Sequence, residues 1–198
     1  MNATRHLDLG CGNRIRNPYQ AHELYGVDFA STLPPERFRP ADLSLDPLPY
    51  DEGFFDSASA YDVLEHIPRV VCVHAPSAPS GMKTRNCFIE LMNEVWRVLK
   101  PGGLFYAVTP AFPSEKAFID PTHVNFITDR THHYFCGSRP LAGMYGFLGR
   151  FECVRAKRIR LKYDYDPLQL SFMQRIRKVA DFVGRKRSHV LWELQAVK

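Results

Sequence analysis

Along the first third of the chain, short apolar runs that end in acids or glycines alternate with polar, proline-rich stretches. The runs at 5–9, 24–28, about 38–42 and 55–61 have the length and apolar content of buried strands, and the loop LDPLPYDEG separates the last two. The period then changes. In NCFIELMNEVWRVLK, Phe88, Leu91, Met92, Val95 and Leu99 recur at helical spacing. That spacing predicts a helix with Asn86 as its cap and Pro101-Gly102-Gly103 as its stop. LFYAVTPAF follows as an apolar strand, and FECVRAKRIRL and HVLWELQAV predict two more near the end. Between those two, Leu168, Phe172, Ile176, Val179 and Val183 fall on one side of a predicted amphipathic helix at 167–184. Asp166-Pro167 opens it and Gly184 lies past its end. VHAPSAPSGMK, at 73–83, reads as an exposed loop.

Strand–helix–strand alternation predicts an α/β sheet with helices on its faces. The 198 residues suit one domain, 1–198, with a basic amphipathic helical insert at about 163–187 between the last two strands. Composition adds three points. An apolar fraction of 45% is enough for a packed core and argues against disorder. No window approaches the 18 consecutive apolar residues of a membrane span, and MNATRHLDLG lacks the apolar core of a signal peptide. Five cysteines, an odd number without CxxC spacing, read as reduced thiols and point to a cytoplasmic protein.

Charge is unevenly spread. Residues 1–150 carry 14 Lys/Arg against 16 Asp/Glu, whereas 151–198 carry 12 against 5, so the formal net charge of +5 belongs to the tail. Such a patch suits an anionic substrate, a membrane surface or nucleic acid, or is simply a solvated face.

The candidate chemistry sits in the turns. HLDLGCGNRIRNP runs from a strand into Gly10 and Gly12, where a missing Cβ lets backbone N–H groups approach a ligand. In open α/β sheets, ligands lie beyond the carboxyl ends of the strands. Asp28 ends the second strand, 20 residues after Asp8, where an acid can accept both hydroxyls of a ribose. Asp42 follows the third strand at the same edge, within reach of an adenine amino group.

Together, LDLGCG, GVDF, ADLSLDPLPYDEGFFDSASAYDVLEHIP and ELMNEVWRVLKPGGLFYAVTP resemble, in order, the motifs of class I S-adenosylmethionine-dependent methyltransferases, most closely the group called type 11. The resemblance covers roughly residues 5 to 112. It implies a Rossmann-like α/β fold: a seven-stranded, mostly parallel sheet whose last strand is antiparallel. It also implies S-adenosyl-L-methionine as cofactor, lying across Asp8, Gly10, Cys11 and Gly12, with Asp28 and Phe29 at the ribose. Asp42 and Leu43 would meet the adenine, and Ala60, Tyr61 and His66 the methionine end.

One departure stands out. Family members place a third glycine and a full crossover helix after the first strand. Here Arg14 occupies that position, and only eleven residues, interrupted by Pro18, separate Gly12 from Leu24. A parallel crossover takes a dozen or more residues, so the first crossover helix is expected to be reduced to a turn or irregular loop. The failed G-x-G-x-x-G pattern also argues against a dinucleotide oxidoreductase.

After the fifth strand, TPAFPSEKAFIDPTHVNFITDRTHHYF concentrates polar and aromatic residues where this family binds acceptors. His123 is the first candidate for a general base, with Asp120, His132 and Tyr134 in reserve. Asp120, His123, His132 and His133 match no strong metal-ligand spacing, so no metal is expected. The leading reading is methyl transfer to a small-molecule acceptor, with O-methylation of a sugar or lipid-linked intermediate preferred. RNA or protein methylation is the alternative, resting on the basic tail without any recognisable RNA-binding module. A cofactor-binding partner protein without catalysis is the third.

Overall fold

The computed structural model describes residues 3–160 and 187–198. Seven strands form one sheet: β1 (Arg5–Leu9), β2 (Glu23–Asp28), β3 (Phe38–Pro40), β4 (Phe55–Tyr61), β7 (Leu99–Pro110), β8 (Phe151–Ile159) and β9 (His189–Ala196). Their order is β3-β2-β1-β4-β7-β9-β8. The first five pair in parallel, and β9, last in the chain, runs antiparallel between β7 and β8. This is the architecture expected from the motifs. It brings the carboxyl ends of five strands to one edge, and His189, opposite Pro110, starts β9 at that edge.

Among the described residues the only α-helix is α1 (Cys87–Val98). Its Phe88, Leu91, Met92 and Val95 are buried in one core with Leu7, Phe55, Phe105 and Trp192. Each such side chain contributes about 1.5–3 kcal/mol when fully buried. Three expectations change. Asn86 stands at the N-cap position but its side chain makes no capping bond; Nδ2 donates to the Tyr145 carbonyl instead. The helix stops at Val98, and Leu99 is already extended as the first residue of β7, so Pro101-Gly102-Gly103 lies inside the strand. The expected loop at 73–83 is largely a hairpin, β5 (Val71–His74) and β6 (Met82–Arg85), whose turn is closed by Ala75 N–H on the Gly81 carbonyl at 2.9 Å. Its side chains are mostly exposed, and the apolar periodicity that marks a buried strand is therefore missing.

The first crossover, residues 10–22, contains no helix. Side chains hold the 10–22 segment in a helix's place. Arg16 N–H donates to Asp8 Oδ2 at 2.8 Å, and Asn17 closes a loop on Ala21 with both amide atoms. Tyr19 donates its hydroxyl to Glu193 at 2.9 Å and sets its ring edge-on to Tyr106. Tyr19 thereby packs on a second apolar cluster formed by Tyr61, Tyr106, Val108, Ile159 and Leu191.

The helix expected at 167–184, within the insert at about 163–187, lies outside the described residues. All five cysteines are free. Among the described residues no helix is long and apolar enough to cross a membrane.

A chain of polar groups runs through the centre of the sheet. His6 is buried, with Nδ1 at 2.8 Å from Ser57 Oγ and Nε2 at 2.9 Å from Ser59 Oγ, and Ser59 donates to Asp8 Oδ1 at 2.7 Å. Because Ser59 gives its proton to Asp8, it can only accept from His6, which places a proton on Nε2. Burial depresses the His6 pKa to about 3 and raises that of Asp8 to about 6, in the latter case outweighing the Arg16 and Ser59 contacts.

The two groups act on stability in opposite senses. An unfolded chain protonates His6 below about pH 6.5 while the folded one resists until about 3, so the His6 contribution is complete above 6.5 and lost as pH falls. Asp8 binds its proton more tightly when folded, so its contribution is present at low pH and lost as pH rises from 3.8 through about 6. We predict that His6→Gln removes the first effect alone. In denaturant titrations between pH 6.5 and 3, the wild type should lose up to about 1.4 kcal/mol more per pH unit than the variant. Parallel pH profiles would mean that His6 does not titrate between folded and unfolded states.

Candidate functional site

The edge defined by Leu9, Asp28, Pro40, Tyr61 and Pro110 carries the predicted turns. Gly10 has φ +63°, and its N–H donates to the Val27 carbonyl at 2.8 Å, so the chain leaves β1 by bending over the end of β2. A Cβ on Gly10 would stand 2.2 Å from Val63 Cγ2. Gly12 also has positive φ, +53°, but a Cβ there would meet nothing within 4 Å. The turn is thus packed beneath and open above. Gly12 N–H donates to Asp28 Oδ2 at 2.9 Å, while Phe29 N–H takes Oδ1 at 2.7 Å. Asp28 and the glycine turn are joined directly.

The remaining predicted residues fall into three groups. Asp8 lies under the turn, fully buried between Arg16 and Ser59, and supports the loop from inside the sheet. Cys11 is buried with its Sγ donating to the Gly12 carbonyl, and burial first, then Asp8 and Asp28, push its thiol up to about 12. It is a space-filling neutral thiol packed on Gly26, where a Cβ would lie 2.5 Å from its sulfur. Leu43, Ala60 and Tyr61 are buried beside the edge, with the Arg16 guanidinium 5.0 Å from the Tyr61 ring centre.

Phe29 and Asp42 are more open. Phe29 leaves 72% of its surface exposed directly after Asp28. Asp42 organises a turn, with Oδ1 accepting from Ser44 N–H and the carbonyl accepting from Leu45 and Asp46. Asp42 stays tied to Asp28 because Ala41 N–H donates to the Asp28 carbonyl at 3.0 Å.

A third group gathers where β4 ends. The His66 and His123 rings meet edge to face at 4.8 Å between centres, and Glu65, fully buried, faces both. Glu65 Oε2 accepts from Thr109 at 2.8 Å, and Oε1 lies 4.0 Å from His123 Nε2. Burial raises the Glu65 carboxyl to about 7, above what the Thr109 bond would hold it to. Its backbone carbonyl accepts from both Val124 and Asn125 N–H at 2.9 Å, clamping the His123 loop to the turn that follows β4. The sequence reading missed Glu65, although DVLEHIP places it next to His66. It also missed His189, whose Nε2 lies 3.5 Å from Asp62 at the same edge and which only the antiparallel course of β9 delivers there.

The reserve residues separate. Asp120 joins the cluster, with Oδ2 at 3.9 Å from His123 Nε2. His132 does not. It is buried beside Trp192, and burial, with His133 next to it, lowers its pKa. Tyr134 lines a cavity of about 460 Å³ with Arg69, Phe88, Asn125, Arg130 and Tyr145. Asn125 Nδ2 donates to the Leu64 carbonyl, so this cavity adjoins the Glu65 cluster.

No protein-family model matches the sequence, and no curated protein matches it. Solved structures match the fold. A SAM-dependent methyltransferase from Archaeoglobus fulgidus superimposes with TM-score 0.56 at 15% identity, over 98% of this chain and 86% of that one. One from Methanosarcina mazei gives 0.54 at 16%, over 100% and 94%. A Haloferax volcanii complex of the Trm112 methyltransferase activator with a methyltransferase gives 0.54 at 14%, over 99% and 84%. The chain has the class I S-adenosylmethionine-dependent methyltransferase fold.

The two turn glycines predict different outcomes. Gly10→Ala adds a clash with Val63 to the left-handed strain and should destabilise by about 2–4 kcal/mol. Gly12→Ala adds only the strain, about 1–2 kcal/mol. Thermal unfolding of the two variants side by side checks the ordering, and equal losses would contradict the packing described for Gly10.

Proposed function

We propose that the protein transfers a methyl group from S-adenosyl-L-methionine to a hydroxyl of a small-molecule acceptor. The observation that carries the reading is the bond between Gly12 N–H and the Asp28 carboxylate beneath an open turn. It leaves room for a ligand where the fold family holds its cofactor, and it presents an acid to a ribose. The residues present suit that group. Asp28 accepts from the ribose hydroxyls, Asp42 and Leu43 border the adenine, and exposed Phe29 offers a ring face beside them. Ala60, Tyr61 and His66 bound the methionine end. The bound cofactor supplies an electrophilic methyl carbon on sulfur.

Transfer from a sulfonium is an in-line displacement, so the chain's main task is to align acceptor and methyl group. A hydroxyl must also lose its proton, and His123 beside Glu65 is the group we assign to receive it. A buried acid with a raised pKa, paired with histidines in a cleft, favours catalysis over a purely binding role. Next to His123, Phe112, Phe118, Ile119, Val124 and Phe126 are all more than 40% exposed, with Phe118 stacked on Phe126. Such a patch beside a polar cluster suits an acceptor with an apolar portion, which supports a lipid-linked intermediate.

Calorimetric titration with S-adenosylmethionine and S-adenosylhomocysteine tests the cofactor half. Saturable binding is expected, and Asp28→Ala should weaken it about 10- to 100-fold, the loss of one or two hydrogen bonds to a charged group. Transfer of label from the cofactor into the organic-extractable fraction of a cell extract tests the acceptor half. Label found only in nuclease- or protease-sensitive material would replace the small molecule with a macromolecule.

A further inference from the structure

Glu65, His66 and His123 each offer one ligand-type atom, and the three atoms lie within 4.8 Å of one another. They do not satisfy each other. Glu65 Oε1 and His123 Nδ1 are buried without a hydrogen-bond partner among the described residues. The approach of Glu65 Oε1 to His123 Nε2, 4.0 Å, is too long for a hydrogen bond. Buried polar atoms are nearly always bonded, so Glu65 Oε1, left unbonded between two imidazoles, calls for a partner.

The surroundings fit the same partner. Thr122 donates its one hydroxyl proton to Asp120 Oδ1 at 2.6 Å, and it therefore accepts from His66 Nδ1 at 3.0 Å. That fixes the proton on Nδ1 and leaves His66 Nε2 with a free lone pair. A carboxylate–hydroxyl–imidazole relay of this kind is the support that metal-binding histidines use to set their tautomer. Glu65 is anchored from the other side by Thr109 and by the two backbone N–H groups of Val124 and Asn125. Ligand atoms about 2.1 Å from a tetrahedral ion stand ~3.4 Å apart, which small side-chain rotations would reach from the present spacing.

We propose that Glu65, His66 and His123 form a binding site for one divalent transition-metal ion, open at a fourth position toward the acceptor. Two imidazoles and one carboxylate suit Zn²⁺ or Mn²⁺ better than Mg²⁺ or Ca²⁺, which favour all-oxygen sites. The assignment rests on the methyl-transfer reading only for the acceptor, and it replaces the proton-accepting role given to His123 above. An acceptor hydroxyl drawn to the open position loses its proton to solvent more readily. Its oxygen then forms the C–O bond as the methyl–sulfur bond breaks, and the bonding pair returns to sulfur. His123 then serves as a ligand in place of a base.

The test uses the untagged full chain, stripped with a chelator and titrated calorimetrically with Zn²⁺, Mn²⁺ and Mg²⁺, with Co²⁺ absorption as a spectroscopic readout. One equivalent of Zn²⁺ or Mn²⁺ should bind, and Glu65→Gln, His66→Asn and His123→Asn should each weaken it at least about 100-fold, with Thr122→Val costing about tenfold. His66 and His123 are half-buried, so their variants spare the core if Glu65→Gln fails to fold. Titrating the same samples with S-adenosylmethionine separates the two readings. Cofactor binding without stoichiometric metal uptake, or metal uptake that the variants leave unchanged, overturns the metal site and leaves methyl transfer standing. Metal uptake lost in the variants supports the site whether or not the cofactor binds.

Discussion

The Asp8 carboxylate ties together the parts on which the site depends. One oxygen accepts from Arg16 N–H in the first crossover, and the other accepts from Ser59 in the neighbouring strand. Without a helix to cross from β1 to β2, the 10–22 segment needs an anchor inside the sheet. A backbone N–H donated to a buried carboxylate provides one. The cost of burying the acid shows in its raised pKa, and the neutral, twice-bonded His6 on the far side of Ser59 continues the polar chain. What the helix would have contributed by packing, this segment contributes by hydrogen bonds and by the Tyr19 ring on Tyr106.

That arrangement leaves the space above Gly12 open. Gly10 is held down on Val63 and by its bond to Val27, so Gly12 is presented from a rigid base. Asp28 receives Gly12 and Phe29, which orients the acid without using a dedicated side chain. The polar cluster at the end of β4 is built on different logic. Glu65, His66 and His123 come from two loops clamped by backbone bonds to Glu65, and their convergence leaves polar atoms unbonded inside a tight structure.

Much of this was legible in the residues. The seven strands and α1 followed from apolar period and length, because a buried parallel strand and an amphipathic helix each leave a pattern of their own. The hairpin at 71–85 escaped because its side chains are mostly exposed and carry no burial signal. That Gly10 and Asp28 share one edge was legible because Gly10 directly follows β1 and Asp28 ends β2, and the two strands pair side by side. Asp42 was placed at the correct edge, but its role in shaping its own turn depends on bonds to Ser44, Leu45 and Asp46 that composition does not reveal.

Local order along the chain therefore determined the strands, the missing first helix and the glycine–acid pair, since each depends on neighbours a few residues apart or on the span a crossover must bridge. Tertiary structure alone decided the rest. His66 and His123 are far apart in sequence and meet only because Val124 and Asn125 dock on Glu65. His132, adjacent in sequence to the other candidates, instead went into the core beside Trp192. His189 reached the edge formed by the carboxyl ends of the parallel strands because β9 runs against its neighbours. Long-range pairing sets which side chains share a site, and no local pattern encodes it.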